Sequence, residues 1–534
     1  MGVYRRPRPR RRPADRAGGA APADGATHGA VGAAKRDTAR RSGNPRRAAY
    51  DVLAAVESRE AYANLLLPRL LTERGITGRD AALATELAYG TLRGQGTYDA
   101  VLAACSDRPL AKLDPPVRLV LRLGAHQLLG TRIGAHAAVA TSVDLIKSVA
   151  GHGPAGYVNA VLRRVATRDA DAWLEILAPD AAADHDGQLA IRHSHPRWIV
   201  GAYRDALGDA ADAKADDPRA DDEADGPAAA VTELEAALAA GNIRPRVTMA
   251  ALPGGPPREQ VMPLGSEPGR WSPYAFTLDS GSPAALIESG QAAVQDEGSQ
   301  LAAIALARAP LTPRAATADH ATAATTAATT REHWLDLCAG PGGKARLLHG
   351  LAAVQPQPAD LIAAELHPHR AALVADTLAR APRPAGPAPV SAQVIVADGT
   401  QPPWPDGVFD RVLVDAPCSG LGALRRRPEA RWRKSESDLP ALAELQRALL
   451  RSALAAVRPG GVVAYVTCSP VPAETSDVVN AVVGDDESIE ILDAPAVLAE
   501  VPGLRSPSPL FAQLWPHRHG TDAIFIALLR RGAQ

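Results

Sequence analysis

The stretch HWLDLCAGPGGKARLL, His333–Leu348, passes from an apolar segment through a glycine-rich turn into a helical pattern. Glycine lets the backbone approach a ligand closely, and the start of a helix offers free N–H groups and a positive dipole end. The spacing differs from the P-loop, which requires Ser or Thr after Gly-Lys, and from GxGxxG. On its own, the turn is weak evidence for a cofactor loop.

Apolar segments with strand character alternate with helical patterns on both sides of this turn. We predict strands at His333–Ala339, Ala359–Leu366, Gln393–Ala397, Arg411–Asp415, Gly461–Val466 and Ala523–Leu529. A helix is predicted over Leu439–Val457, because proline and glycine follow it. Such alternation is typical of a doubly wound, Rossmann-like α/β domain with a parallel sheet, which we assign to residues 291–534.

Acidic residues end the next three predicted strands: Glu365, Asp398 and Asp415. Ligands of open α/β sheets bind at the carboxyl ends of the strands, and a carboxylate after the second strand can accept the ribose hydroxyls of a nucleoside cofactor. Each acid alone could be a helix cap or a turn former. Together with the glycine turn, the three acids predict a nucleoside-cofactor site.

Two of the four cysteines, Cys418 in VDAPCSG and Cys468 in YVTCSP, lie where predicted strands give way to turns. Two thiols at the ligand-binding edge of a sheet indicate covalent catalysis, in which the thiolate is the nucleophile. The alternative is that they are small buried apolar residues, as we expect for Cys105. The residues alone do not decide which of the two thiols attacks.

The rest of the chain divides into three regions. Residues 1–43 are rich in Arg, Pro, Gly and Ala, which predicts a disordered basic arm that either attracts nucleic acid or has no specific role. Residues 44–166 have helical periodicity without strand signals and predict an all-α domain of six or seven helices. Residues 167–290 predict a connecting region with a small α+β subdomain, a short strand within Asn242–Ala250 and an acidic insertion. The Ala/Thr run His320–Thr330 predicts a further insertion.

The amino-acid composition indicates the cellular compartment and narrows the possible binding partners. The net charge is -1, so the overall charge favours no partner. Four cysteines without a CxxC pair fit neither a disulfide framework nor a zinc site, and we expect a reducing cytoplasm. No apolar run of eighteen residues or more is present, so no transmembrane helix is predicted. His193 and His195 have no second ligand pair, and we assign them structural roles.

The segment ALRRRPEARWRK, Ala423–Lys434, places six basic residues and Trp432 directly after the Cys418 turn. A charge cluster is usually a solvated face. Beside a reactive turn, however, arginine, lysine and tryptophan suit phosphate contact and base stacking. We predict that this basic segment contacts RNA.

Five segments of the C-terminal region resemble the RNA 5-methylcytosine methyltransferases of the NOL/NOP2/Sun family. They are QDEGSQLAA (Gln295–Ala303), DLCAGPGGK (Asp336–Lys344), the run Phe409–Trp432, YVTCSP with Glu474, and LWPHRHGTDAIF (Leu514–Phe525). In the helical region, NPRRAAYDVL, RDAALATELAYGTLR and GYVNAVLRRV resemble the antitermination factor NusB. A NusB-like domain ahead of this catalytic domain resembles the arrangement of bacterial small-subunit rRNA cytosine-C5 methyltransferases.

The resemblance implies S-adenosylmethionine-dependent methylation of carbon 5 of a cytosine in unassembled 16S rRNA, through a covalent cysteine–C6 adduct. It implies Cys468 as the nucleophile, Cys418 as the residue that assists product release, and Asp415 as a partner of the cytosine ring. The implied cofactor-binding residues are Cys338, Ala339, Gly340, Pro341, Gly342, Gly343, Lys344, Glu365, Asp398 and Asp415. We expect a monomer that binds rRNA without a metal and without a membrane.

Three alternatives stay open at this point. The substrate could be a cytosine of another RNA, such as tRNA. Methylation of an exocyclic amino group is disfavoured, because Ala416-Pro417-Cys418 stands where Asn/Asp-Pro-Pro-Tyr would be expected. A non-catalytic RNA-binding factor is disfavoured by the presence of both cysteines and the complete glycine turn.

Overall fold

The computed structural model describes residues 43–59, 61–212, 227–278, 283–313, 331–382, 389–484, 486–504 and 508–532. Three predicted features lie outside these residues: the basic arm up to residue 42, the acidic insertion from residue 213 onward, and the run His320–Thr330. Within the described ranges, no helix is long and apolar enough to cross a membrane.

Seven α-helices form the N-terminal domain: α1 (Pro45–Arg59), α2 (Ala63–Glu73), α3 (Gly78–Arg93), α4 (Gln95–Cys105), α5 (Pro115–Leu129), α6 (Ala135–Ala150) and α7 (Ala155–Val165). Their apolar faces meet in one buried cluster that includes Leu53, Leu87, Leu121 and Leu162. Helix α5 begins at a proline, which fits the first turn because that turn lacks N–H partners. The prediction of a helical region without strands is confirmed for the residues described there.

The connecting region contains four helices and a small antiparallel sheet. The helices are α8 (Ala170–Leu177), α9 (Ala181–Arg192), α10 (Arg197–Asp212) and α11 (Pro227–Ala240). The sheet has the order β2-β3-β1-β4, with β1 (Val247–Ala251), β2 (Glu267–Pro268), β3 (Ala275–Leu278) and β4 (Ala292–Val294), and the short helices α12 (Arg258–Val261) and α13 (Ala284–Glu288) lie between its strands. This sheet therefore extends past residue 290, where sequence reasoning placed the end of the region.

The C-terminal domain is built on one eight-stranded sheet with the order β10-β12-β9-β8-β5-β6-β7, and β11 pairs with β12. Its strands are β5 (Glu332–Asp336), β6 (Ala359–Glu365), β7 (Ala392–Val396), β8 (Phe409–Asp415), β9 (Val457–Thr467), β10 (Ile489–Leu492), β11 (Ala512–Gln513) and β12 (Phe525–Arg531). Its helices are α14 (Glu297–Arg308), α15 (Gly343–Val354), α16 (Pro368–Arg380), α17 (Ala430–Arg433), α18 (Leu439–Ala456), α19 (Ser476–Val483), α20 (Ala494–Val497) and α21 (Pro516–His519). The neighbouring residues Trp334 and Leu335 of β5 belong to separate apolar clusters, as expected for a sheet that is covered on both faces.

The doubly wound α/β class is confirmed, with two differences in detail. Strands β7, β6, β5, β8 and β9 run parallel, whereas β12 runs antiparallel to both β9 and β10, so the prediction of a parallel sheet is wrong for β12. Strand β5 ends at Asp336 instead of Ala339, because the following residues leave the sheet to form the glycine turn.

Arg431 of the basic segment joins three parts of the chain. Its side chain is fully buried. It donates to the carbonyl of Arg93 at 3.0 Å, to Asn242 Oδ1 at 2.7 Å and to the carbonyl of Gly241 at 2.8 Å. The hydrogen bonds of the Arg431 guanidinium therefore connect the N-terminal helical domain and the connecting region to the catalytic domain.

We predict that Arg431→Ala lowers the free energy of unfolding by about 3 kcal/mol, because buried acceptors lose their donor. Arg69→Ala is the matched control, since Arg69 is largely exposed and an exposed ion pair contributes less than about 1 kcal/mol. Denaturant titration of both variants measures the difference. Equal stability of the two variants would contradict this role of Arg431.

Candidate active site

The glycine turn wraps around the carboxylate of Glu365. Gly342 has a φ of 111°, in the left-handed region that favours glycine. A Cβ added to Gly340 would lie 2.2 Å from Glu365 Oε2, so a side chain there would collide with the carboxylate. Glu365 is buried and accepts hydrogen bonds from the backbone N–H of Gly340 at 3.1 Å and of His367 at 3.0 Å. The turn and the end of β6 therefore form one polar cradle.

Lys344, at the start of α15, pairs with Asp415 at the end of β8. Lys344 Nζ lies 2.7 Å from Asp415 Oδ2 and 3.4 Å from Ser299 Oγ. Burial lowers the pKa of Lys344, but the charge and hydrogen bond of Asp415 outweigh burial, and the pKa is raised overall. The amine therefore stays charged and fixes the orientation of the Asp415 carboxylate.

Asp336 is a buried acid that sequence reasoning did not single out. Burial, followed by the charge of Asp415, raises the pKa of Asp336 to about 8. The group is therefore mostly protonated at neutral pH. Its position as the last residue of the mostly buried strand β5 was the available signal.

The two predicted thiols are in contact, with Cys418 Sγ 3.3 Å from Cys468 Sγ. A hydrogen bond donated by Cys418 lowers the pKa of Cys468. The positive charges of Lys344 and Arg427 act in the same direction. The same hydrogen bond, together with burial, raises the pKa of Cys418 well above its ordinary value. The pair therefore favours a thiolate on Cys468 and a thiol on Cys418.

Cys338 and Asp398, two of the residues implied to bind the cofactor, make contacts that do not involve the cradle around Glu365. Burial raises the pKa of the Cys338 thiol, and Cys338 packs against an apolar cluster. Asp398 is exposed, lies two residues beyond β7 and accepts hydrogen bonds from the N–H and the hydroxyl of Thr400 at 2.9 and 2.7 Å. The contacts described for Asp398 are thus those of a turn former. Glu365 and Asp415 lie against the glycine turn.

The basic segment Ala423–Lys434 differs from its prediction. Arg425 and Arg426 form ion pairs with Asp296 and Asp522, including Arg425 to Asp522 at 2.6 Å. Arg433 donates to backbone carbonyls of the N-terminal domain. The expectation that the whole segment faces RNA is therefore wrong for these arginines and for Arg431, because acceptors of the protein itself bind their head groups.

Two side chains of the segment remain at the surface. Arg427 is exposed and lies over the ring of Tyr62 at 5.2 Å. Trp432 keeps 36% of its surface accessible. These residues still suit contact with a base or a phosphate.

The two histidines for which structural roles are predicted contact other residues of the protein. His193 Nε2 lies 3.2 Å from Glu235 Oε1, and the buried His195 packs beside Tyr203. Among the residues that the structure describes, no cluster of three or more His, Cys, Asp or Glu could hold a metal ion.

Three features together define a Rossmann-like methyltransferase domain. They are the doubly wound sheet, the glycine turn around the buried Glu365, and the Lys344–Asp415 pair at the end of β8. A family model described as 16S rRNA methyltransferase RsmB/F matches residues 323–530, and the NusB family model matches residues 43–167. The chain belongs to the RsmB/F methyltransferase family, in which S-adenosylmethionine is the methyl donor. The resemblance to RNA methyltransferases with a NusB-like domain is thereby confirmed.

Curated relatives cover nearly the whole chain. "Putative methyltransferase Rv1407" of Mycobacterium tuberculosis is 47% identical over 91% of this chain and 96% of its own length. "Ribosomal RNA small subunit methyltransferase B" of Pseudomonas syringae pv. tomato is 31% identical over 91% of this chain and 96% of its own. The crystal structure of PH0851 superposes with a TM-score of 0.67 at 21% identity, covering 92% of this chain and 99% of that one, and shows the same fold.

The residues of the cradle fit S-adenosylmethionine. The buried carboxylate of Glu365 can accept both ribose hydroxyls, and the extra methylene relative to aspartate leaves its reach sufficient. The absence of a side chain at Gly340 keeps the backbone open to a ligand beside that carboxylate. When bound, the cofactor supplies an electrophilic methyl group.

We predict that Glu365→Ala weakens binding of S-adenosylmethionine at least tenfold, because the ribose hydroxyls lose a charged acceptor. Asp398→Ala is the comparison variant, and we expect a change below threefold, since the carboxylate of Asp398 bonds within its own turn. Isothermal titration calorimetry measures both affinities. An unchanged affinity in Glu365→Ala would contradict the cradle as the cofactor site.

Proposed function

We propose that this protein transfers a methyl group from S-adenosylmethionine to carbon 5 of a cytosine in small-subunit rRNA, through a covalent bond between Cys468 and carbon 6. The observation that carries the proposal is the 3.3 Å contact between the two thiols, beside the Lys344–Asp415 pair. Methylation of an exocyclic amine requires no thiol. A non-catalytic factor would have no use for two thiols of opposed acidity in contact with each other.

The chemistry follows from the weak nucleophilicity of cytosine carbon 5. In the proposed reaction the Cys468 thiolate adds to carbon 6, which turns carbon 5 into an enamine-like nucleophile. S-adenosylmethionine, which Glu365 and the glycine turn would hold, would supply the methyl group to carbon 5, with S-adenosylhomocysteine as the leaving group. A base then removes the proton from carbon 5, and the bond between sulfur and carbon 6 breaks to restore the ring and the thiolate.

The neighbouring residues take separate roles in this proposal. Asp415, held by Lys344, faces the ring edge near N3, where a hydrogen bond favours addition at carbon 6. Cys418 assists the loss of the carbon-5 proton and so the release of the product. Its thiol lies in contact with the nucleophile, which is the position that this step requires.

Small-subunit rRNA as substrate is supported by the names of the family model and of the relative from Pseudomonas syringae. The NusB-like domain ahead of the catalytic domain supports an RNA substrate as well. The target cytosine must leave its stack to reach two half-buried thiols, so we propose an unpaired nucleotide in unassembled rRNA. The same chemistry on a cytosine of tRNA is the alternative.

We predict that Cys468→Ala lowers methyl incorporation into unmodified small-subunit rRNA at least 10³-fold, because no adduct forms. Cys105→Ala is the control and should retain full activity, since Cys105 is buried in the N-terminal domain. Tritiated methyl transfer followed by nucleoside analysis measures the product. Label on another atom, or only in tRNA, would contradict the proposal.

We predict that Cys418→Ala accumulates a covalent protein–RNA complex, because addition and methyl transfer proceed while release fails. A denaturing gel with labelled rRNA detects the complex as a shifted band. The double variant Cys418→Ala with Cys468→Ala should give no shift. A shift that persists in the double variant would place the bond on another residue.

A further inference from the structure

Glu474 is a fully buried acid whose side chain connects the two cysteine turns. Its Oε1 accepts the backbone N–H of Ser419 at 2.7 Å. Its Oε2 accepts the hydroxyls of Ser419 at 2.5 Å and of Ser469 at 2.6 Å. Ser419 directly follows Cys418, and Ser469 directly follows Cys468. One carboxyl group thus holds the residues next to both thiols.

Further hydrogen bonds fix Glu474 itself. Gln446 Nε2 donates to Glu474 Oε1 at 3.2 Å and to the carbonyl of Pro417 at 2.9 Å, so it also holds the residue before Cys418. The hydroxyl of Tyr465 donates to the backbone carbonyl of Glu474 at 2.8 Å. All side-chain partners described for Glu474 are donors, which is the pattern that a carboxylate satisfies on both oxygens. These hydrogen bonds therefore fix the position and orientation of the Glu474 carboxylate.

The charges around the two thiols are unequal. Glu474 adds to the effects of the Cys468 hydrogen bond and of burial that raise the pKa of Cys418. The cations Lys344 and Arg427 act on Cys468 and favour its thiolate, although Asp415 opposes them. A negative charge beside Cys418 and positive charges beside Cys468 move the pKa values of the two thiols apart, although both side chains are half-buried.

We propose that Glu474 is the positioning residue that holds the two cysteine turns in register and keeps the proton on Cys418, so that Cys468 carries the nucleophilic charge. This role rests on the proposed function, because it concerns the order in which the two thiols act. Glu474 itself does not touch the reacting atoms. It acts through Ser419, Ser469 and its charge.

The test compares Glu474→Gln with the wild-type enzyme in two measurements. We expect kcat for rRNA methylation to fall about 100-fold while KM for rRNA and for S-adenosylmethionine stays within twofold. Alkylation by iodoacetamide, followed by peptide mass spectrometry across pH 6–9, reports which thiol is ionised. We expect wild type to react at Cys468 at least tenfold faster than at Cys418, and the variant to show a smaller preference.

A double variant separates the effect of the Glu474 charge from the effect of its hydrogen bonds, and a second variant serves as the control. Ser419→Ala combined with Ser469→Ala keeps the carboxylate, so the alkylation preference should persist while kcat falls about tenfold. This variant also provides the test if Glu474→Gln does not fold, because an unchanged kcat would then overturn the positioning role. Glu490→Gln, at an exposed position of the edge strand β10, is the control and should match wild type.

The outcomes distinguish this inference from the proposed function. Wild-type enzyme that fails to methylate carbon 5 would overturn the proposed function. Active wild type with an equally active Glu474→Gln and an unchanged alkylation preference would overturn the role of Glu474 alone. The alkylation measurement needs no RNA, so it tests the charge separation in either case.

Discussion

The contact between the sulfur atoms of Cys418 and Cys468 is the constraint on which the site depends. Strands β8 and β9 are parallel neighbours, and Asp415 pairs with Val466, so both cysteine turns begin at the same edge of the sheet. The N–H of Gly422 then donates to the carbonyl of Cys468 at 2.8 Å and joins the turns again. The sheet thereby brings together residues that are fifty positions apart in the chain.

The sequence patterns predicted those site residues that lie directly at the ends of strands. The glycine turn, Glu365, Asp415 and the two cysteines follow apolar segments, and a parallel sheet collects such ends at one edge. The direction of β12 was not predictable, because its continuous apolar run is typical of a strand covered on both faces and does not define the strand's direction. Asp398 shows a related limit, since an acid after a strand can bond within its own turn and stay exposed.

The basic segment shows why charge in a sequence does not define a surface. Its composition suited RNA contact, yet Arg425, Arg431 and Arg433 bind carboxylates and carbonyls of the protein. Those acceptors come from distant parts of the chain, and only the tertiary structure places them there. The segment directly after the Cys418 turn therefore connects the helical N-terminal domain to the catalytic domain, and the residues at its surface are few.

The bond between Cys468 and cytosine is the central claim, and it can be observed directly. Small-subunit rRNA transcribed with 5-fluorocytidine should trap the adduct in the presence of S-adenosylmethionine, because fluorine cannot leave carbon 5 as a proton does. Digestion with trypsin and ribonuclease, followed by mass spectrometry, identifies the attached peptide. The proposed mechanism predicts a methylated fluorocytidine on the peptide that contains Cys468. Attachment to Cys418, or no attachment at all, would contradict it.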